Sequence, residues 1–222
     1  MFANIRNGAR KDGALTTFTG RYTYQSNNNG QLLINPTSGF PAQTDNASWH
    51  VAGDRNPDFK MGFYNNFTYK GLNLNFLWDL KKGGDVYNAT GLYLYLLGLH
   101  PKSIENRESQ LIFNGVLKDG LENSANPTPN NITVIPYYNN DFYTSSFIDQ
   151  DFIERDVNWL RLRDVTLSYK IPANWLKKSR LFKSASIGVT GTDLILITNY
   201  TGGDPGCEWY YGSYRWQRKY WL

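Results

Sequence analysis

The chain has 222 residues, 41% of them hydrophobic, a formal net charge of +4 and a mean hydropathy of −0.53. No apolar run approaches the roughly 18 residues of a membrane helix, the longest being Leu92–Leu99, so a helical membrane protein is excluded. A membrane barrel is not, because its strands present only alternate residues to lipid. The densest basic cluster is Lys177-Lys178-Ser179-Arg180, too sparse to indicate nucleic-acid binding. One cysteine, Cys207, and two histidines, His50 and His100, supply no disulfide framework, metal-ligand spacing or histidine-based triad, and no cofactor is implied. Aromatic residues reach 16%, with 16 Tyr and 7 Trp. That suits either a soluble β-rich surface or the aromatic girdles of a barrel.

In chain order, Ala14–Tyr24 reads as a strand, residues 26–30 (SNNNG) as a polar turn and Gln31–Ile34 as a short strand. Asn35–Asn56 is rich in Pro, Gly, Ser, Asp and Asn and reads as loop. Phe59–Leu80 then carries the clearest pattern. Phe59, Met61, Phe63, Phe67 and Tyr69 share one parity, and Leu72, Leu74, Phe76, Trp78 and Leu80 share another, about a two-residue turn at Lys70-Gly71. Folding the arms together predicts the pairs Tyr69–Leu72, Phe67–Leu74, Asn65–Phe76, Phe63–Trp78 and Met61–Leu80. Each arm matches the 9–11 residues of a tilted membrane strand, an order-of-magnitude fit of about one bilayer crossing.

Lys81–Asp156 forms a long connection, with a short helix expected within Asp85–Leu97, short strands at Ser109–Leu117 and Ile132–Pro136, and loop at Asn123–Asn131. Val157–Ile171 is the strongest single strand. Leu160 and Leu162 are apolar at even positions, then Val165, Leu167, Tyr169 and Ile171 at odd ones. The slip at Arg163-Asp164 implies a bulge or a change of environment. Pro172 ends the strand, Ala173–Phe182 reads as one or two helical turns, and Ser184–Asp193 alternates again. With the Lys70-Gly71 turn on the periplasmic side, every long loop falls on one side and every short connection on the other. A barrel keeps that parity; a soluble sandwich has no reason to.

Three phrases resemble the C-terminal end of SusC/RagA-type TonB-dependent outer-membrane transporters. They are GDRNPDFKMGFYNNFTYKGLNLNFLWDLKKGGDVYN (Gly53–Asn88), WLRLRDVTLSYKIP (Trp159–Pro172) and TDLILITNYTGGDP (Thr192–Pro205). The resemblance implies an all-β fold: about five antiparallel strands of a larger plugged transmembrane β-barrel, with long extracellular loops and short helical turns. It implies import of nutrients such as oligosaccharides or peptides, a SusD-like lipoprotein lid, coupling to TonB through an N-terminal region outside these residues, contact with outer-membrane lipid, and no enzyme activity. The segment MFANIRNGARKDGAL is basic but has no apolar core, so no signal peptide is expected in this segment of an outer-membrane parent. A barrel piece has unpaired edges and is expected to be inactive alone.

Residues 1–206 are accordingly expected to be barrel and residues 207–222 an aberrant tail. CEWYYGSYRWQRKYWL lacks alternation and turn logic. Read one base later, the possible codons of Cys207–Tyr220 permit Val or Ala, then Asn-Gly-Thr-Thr-Ala-Ala-Thr-Gly-Gly-Ser-Gly-Asn-Thr. Such a small-residue loop suits the family, so a one-base insertion near Gly206 is expected.

Candidate substrate-binding residues are Asp85, Tyr87 and Asn88 at the start of the long loop, and Arg161 and Arg163 on the strong strand. Tyr and Asn suit sugar stacking and hydroxyl bonding; the alternative is a capped helix start. The two arginines suit an anionic solute; the alternative is a polar wall. Lys81-Lys82-Gly83-Gly84 lacks the ending and context of a phosphate loop. Asp149 and Asp151 share a face only if extended, and no carboxylate pair suggests acid–base chemistry. The competing functional reading is a soluble β-rich carbohydrate-binding module. It would bury Phe63, Phe67, Leu74, Phe76 and Trp78 beneath a second sheet.

Overall fold

The computed structural model describes residues 5–7, 14–176, 183–206 and 219–220. The chain divides into two compact units, residues 1–55 with 86–154 and residues 56–85 with 155–222, here called the loop unit and the sheet unit.

In the loop unit, β1 (Ile5–Asn7), β2 (Thr17–Tyr24) and β4 (Gln43–Asp54) form an antiparallel sheet in the order β1-β2-β4. β3 (Leu33–Ile34) lies between β2 and β4 in sequence. Residues 35–56 were expected to be loop, and β4 corrects that expectation. Its largely polar sequence, QTDNASWHVAGD, alternates only over Asn46–Val51, and two register shifts against β2 interrupt a regular face. In the sheet unit, β5 (Phe59–Tyr69) and β6 (Leu72–Lys82) follow.

The long connection is a folded body, not a structureless excursion. β7 (Val86–Tyr87) leads into α1 (Ala89–Leu96) and α2 (Pro101–Ile104), then β8 (Val116–Leu117), α3 (Phe142–Ser145) and β9 (Ile153–Glu154). β3 pairs with β8 and β7 with β9. The expected strands at Ser109–Leu117 and Ile132–Pro136 shrink to β8 and a single Leu111–Val134 bridge. Two buried clusters hold the unit together: Ile5, Phe18, Ala52, Tyr87, Leu92 and Ile153 in one, and Phe40, Val134 and Phe142 in the other.

β10 (Trp159–Lys170), α4 (Ala173–Leu176), β11 (Ser186–Thr198) and β12 (Lys219–Tyr220) complete the sheet unit, whose strand order is β12-β11-β10-β6-β5. Four long antiparallel strands dominate it, and among the described residues the sheet is open. The expected hairpin pairs all occur. Extended through β10 and β11, they become rungs: Tyr69/Leu72/Tyr169/Ile187, Phe67/Leu74/Leu167/Val189, Asn65/Phe76/Val165/Gly191, Phe63/Trp78/Leu162/Ile195 and Met61/Leu80/Leu160/Ile197. All but Asn65 and Gly191 are apolar or aromatic. The other face carries Asn66/Asn75/Thr166/Thr190 at mid-strand and Gly62/Asp79/Arg161/Leu196 nearer one end.

The phase slip resolves as a bulge. Arg163 is an extra residue between Leu162 (opposite Trp78) and Asp164 (opposite Leu77), so the apolar residues on either side stay on one face. β11 answers with an extra residue of its own, and Asp193 there takes φ +49°. Among the described residues, the apolar face has no covering layer within its unit. Met61, Phe63, Phe67, Tyr69, Leu72, Leu167, Ile187 and Val189 are 41–69% exposed, far from the burial a sandwich core gives.

The tight hairpin depends on its turn. Lys70 (φ +46°) and Gly71 (φ +85°) both occupy the left-handed region, as a type I′ turn requires. A Cβ on Gly71 would lie 3.2 Å from the Lys170 carbonyl. Gly71→Val is therefore expected to lower stability by about 1–2 kcal/mol, while Lys70→Asn holds or raises it. Urea midpoints of the detergent-folded chain measure both.

Candidate functional site

The residues singled out in the sequence lie in three places: an arginine–aspartate cluster and the Asp85–Arg155 pair in the sheet unit, and the start of α1 in the loop unit. In the sheet unit, Arg161 and Arg163 project from β10 toward the polar face at and beside the bulge. The Arg161 side chain is only 6% exposed. Its guanidinium lies over the Trp159 ring, 5.4 Å from the centroid. Nη1 donates to Asp193 at 3.4 Å and Nη2 donates to Asp204, whose Oδ1 also accepts the Gly206 N–H at 2.8 Å. Arg163 donates to Asp79 at 2.8 Å and lies 3.8 Å from Asp193.

These contacts make one chain of charge, Asp204–Arg161–Asp193–Arg163–Asp79, across three strands and the loop after β11. Two cations face three carboxylates, leaving the cluster net negative. It is poorly suited to attract an anion. Removing a carboxylate from the buried Arg161 would leave a poorly compensated charge, a change that costs on the order of 3–5 kcal/mol in buried pairs. Arg163, with 41% of its side chain exposed, is the more accessible of the two. Asp79, Asp193 and Asp204 escaped sequence reasoning. Asp204 lies 43 residues from Arg161 in a Gly- and Pro-containing loop, and no local pattern links them.

Asp85 pairs with Arg155 at 2.6 Å and accepts the Asp156 N–H at 3.3 Å. It thus joins the two ends of the long connection within the sheet unit. Nearby, the Gly83 N–H donates to Asn158 Oδ1 and the Val157 N–H to the Gly84 carbonyl.

In the loop unit, Asn88 is the N-cap of α1. Its Oδ1 accepts the Gly91 N–H at 2.7 Å and its Nδ2 donates to Glu154 at 2.7 Å. Tyr87 lies in the first apolar cluster, edge-on to Phe18 with ring centroids 6.4 Å apart. Its hydroxyl has no hydrogen-bond partner, and burial, reinforced by the Asp149 charge, pushes its pKa well above the ordinary phenol value. Both side chains are buried rather than displayed. Asp149 and Asp151 sit in a 3-10 turn, not an extended segment, and Asp151 accepts from the Tyr24 hydroxyl and the Ile148 N–H. A cavity of about 150 Å3 opens between Tyr95, Ser103, Glu105, Phe142 and Tyr143. Ligand pockets typically measure roughly 300–1,000 Å3, so it is small for one. Among the described residues, no cluster of three or more His, Cys, Asp or Glu suits a metal ion.

No protein-family model matches the chain. Two curated proteins of Formosa agariphila are similar to it over 156 residues, 70% of this chain: TonB-dependent receptor P3 at 28% identity and TonB-dependent receptor P26 at 29%. The chain spans only 13% and 14% of their lengths. Among solved structures, the RagAB peptide importer in its open-open state aligns with a TM-score of 0.51 and 17% identity, covering 85% of this chain and 20% of that one. The RagAB peptide transporter aligns at 0.50 and 16%, with the same coverage. These likenesses bear out the resemblance to TonB-dependent transporters and the β-rich transporter fold. The relatives carry the names of receptors and importers rather than enzymes.

Tyr87 and Asn88 are separable by substitution. Asn88→Ala is expected to destabilise the loop unit by about 1–2 kcal/mol, because it removes the cap on the α1 N-terminus and the hydrogen bond to Glu154. Tyr87→Phe removes a hydroxyl without a partner and is expected to be neutral or stabilising by up to ~1 kcal/mol. Hydrogen-exchange protection across residues 86–96 reads both.

Proposed function

We propose that this chain forms part of the barrel wall of a TonB-dependent nutrient importer of the bacterial outer membrane. One observation carries the reading: four long antiparallel strands present an uncovered apolar face on one side and a polar, charged face on the other. Acyl chains suit the first face and a wet passage the second. The loop lengths support the orientation. The Lys70-Gly71 turn and the 171–185 connection lie at one end of the strands, and the folded 83–158 connection leaves from the other. We place the first end in the periplasm and the second outside the cell.

Cargo, lid and energy coupling belong to the whole transporter. Oligosaccharides or peptides are the cargo classes in this reading, peptides being the class named for RagAB. A SusD-type lipoprotein outside the cell and TonB in the periplasm are its partners. Of the five sequence-nominated residues, we assign solute contact at the wall to Arg163. Arg161, Asp85, Tyr87 and Asn88 are assigned to holding the wall and the base of the loop.

We further assign residues 1–206 to the importer and exclude the tail from its barrel. Residues 207–218 and 221–222 lie outside the described residues. Lys219–Tyr220 pairs parallel to Leu196–Ile197, the reverse of the antiparallel neighbour a barrel meander would place beside β11. The coding DNA tests this: a single-base shift near Gly206 should restore an alternating strand, and a reading with no such shift discards the assignment.

The barrel reading itself is tested by refolding. The chain should gain β structure in detergent micelles or lipid vesicles and not in buffer; a monodisperse soluble form in buffer would overturn it. In vesicles, Phe76→Arg at the middle of the apolar face should cost about 2–4 kcal/mol, while Asn75→Arg on the opposite face costs little. Urea titration of the vesicle-folded variants measures the difference.

A further inference from the structure

The two ends of the sheet unit differ in charge as well as in loop length. From Phe59 to Trp78 and from Val165 to Thr192 the sequence contains no Asp or Glu. Among the described residues the turn end therefore carries cations alone: Lys70, Lys170 and Lys183 are all exposed. At the other end acids and bases are mixed and paired, as in Arg155–Asp85, Lys82–Asp156 and the Arg161 cluster.

The cations sit beside aromatic rings. Tyr69 and Tyr169 occupy the last rung of the apolar face, with Leu72 between them. Tyr69 is 69% exposed, and the Lys70 ammonium lies 5.2 Å from its ring centroid. The Lys170 N–H donates to the Gly71 carbonyl at 2.8 Å, which fixes the hairpin turn against β10. Just beyond, Trp175 on α4 is 74% exposed, the largest apolar side chain of the connection left uncovered. Rings with one apolar and one polar edge settle at the boundary between hydrocarbon and headgroup, and lysine stems reach from there into the phosphate layer.

We propose that this end of the sheet unit is a docking surface for anionic phospholipid headgroups. Tyr69, Tyr169 and Trp175 lie at the hydrocarbon boundary, and Lys70, Lys170 and Lys183 meet the phosphodiesters. The surface continues the apolar face without a break, and its uniform positive charge complements an anionic leaflet. The inference rests on the barrel-wall reading and gives that wall a lipid preference and a fixed depth.

Flotation of the chain with phosphatidylcholine vesicles, alone or doped with phosphatidylglycerol, tests it. Association with phosphatidylcholine alone reports the apolar face; failure there sinks the barrel-wall reading and the inference together. The gain on adding phosphatidylglycerol reports the proposed surface. Neutralising a lysine near an anionic leaflet is worth ~1 kcal/mol, or roughly fivefold in partitioning. The triple variant Lys70→Gln/Lys170→Gln/Lys183→Gln should lose most of a gain on the order of a hundredfold and keep its binding to phosphatidylcholine. Lys82→Gln, at the opposite strand ends, should leave the gain intact. Equal binding to both vesicles, or a gain unchanged in the triple variant, would overturn the surface while sparing the barrel wall. Loss of the gain in inorganic phosphate but not in chloride of equal ionic strength would also overturn it, by identifying a phosphate site instead of a lipid face.

Discussion

The sheet unit depends on keeping its two faces chemically distinct over four strands. A strand turns alternate side chains to opposite sides, so one extra residue anywhere would send every later apolar side chain to the wrong face. The strong strand contains just such an offset: Leu160 and Leu162 at even positions, Val165, Leu167 and Tyr169 at odd ones. The bulge at Arg163 cancels it, and β11 accommodates the bulge through Asp193 in the left-handed region. Burying each large apolar side chain is worth about 1.5–3 kcal/mol relative to leaving it in water. A face this long left in water therefore forgoes far more free energy than the few kcal/mol by which domains are stable. Hydrocarbon on that side removes the conflict.

The charge cluster belongs to the same device. A bulge interrupts the ladder and twists the strand, and Arg163, the extra residue, is the one that reaches Asp79 on β6. Arg161, two residues earlier, ties β11 through Asp193 and the following loop through Asp204. Ion pairs exposed to water contribute little. Here Arg161 is buried against Trp159, so its carboxylates are required once its charge has left water. The cluster fixes the loop after β11 to the strand wall more than it advertises a binding site.

What was legible in the sequence followed from local chemistry. The Lys70-Gly71 turn and its flanking alternation set the hairpin register without further information. The slip at Arg163-Asp164 pointed to a bulge or a change of environment because alternation has only two phases, and the structure has the bulge. Asn88 read as a sugar contact or, more readily, as a helix cap, and its geometry is that of a cap. What was not legible depended on distant partners. β4 is a strand because β2 lies beside it, while its own residues favour turns. Asp85 with Arg155, and Arg161 with Asp204, are joined by the fold across 70 and 43 residues. The loop unit was hidden for the same reason: Ile5, Phe18, Ala52, Leu92 and Ile153 stand far apart in sequence and become a core only when β1, β2, β4, α1 and β9 bring them together.

The open edge of β5 sets the last constraint. Among the described residues its outer side has no neighbouring strand, so a row of backbone N–H and C=O groups faces outward along 11 residues. In water such an edge is tolerable; in hydrocarbon each unsatisfied group costs several kcal/mol. The same sheet thus has an apolar face that disfavours water and an edge that disfavours lipid. Detergent, which covers the face while leaving the edge partly wet, relaxes that conflict without removing it. A further strand paired on β5 moves the open edge outward, and only repeating that step around a closed circuit, which makes a barrel, removes it. Four strands can specify the two surfaces of the wall, but a passage for solute exists only once the circuit is complete.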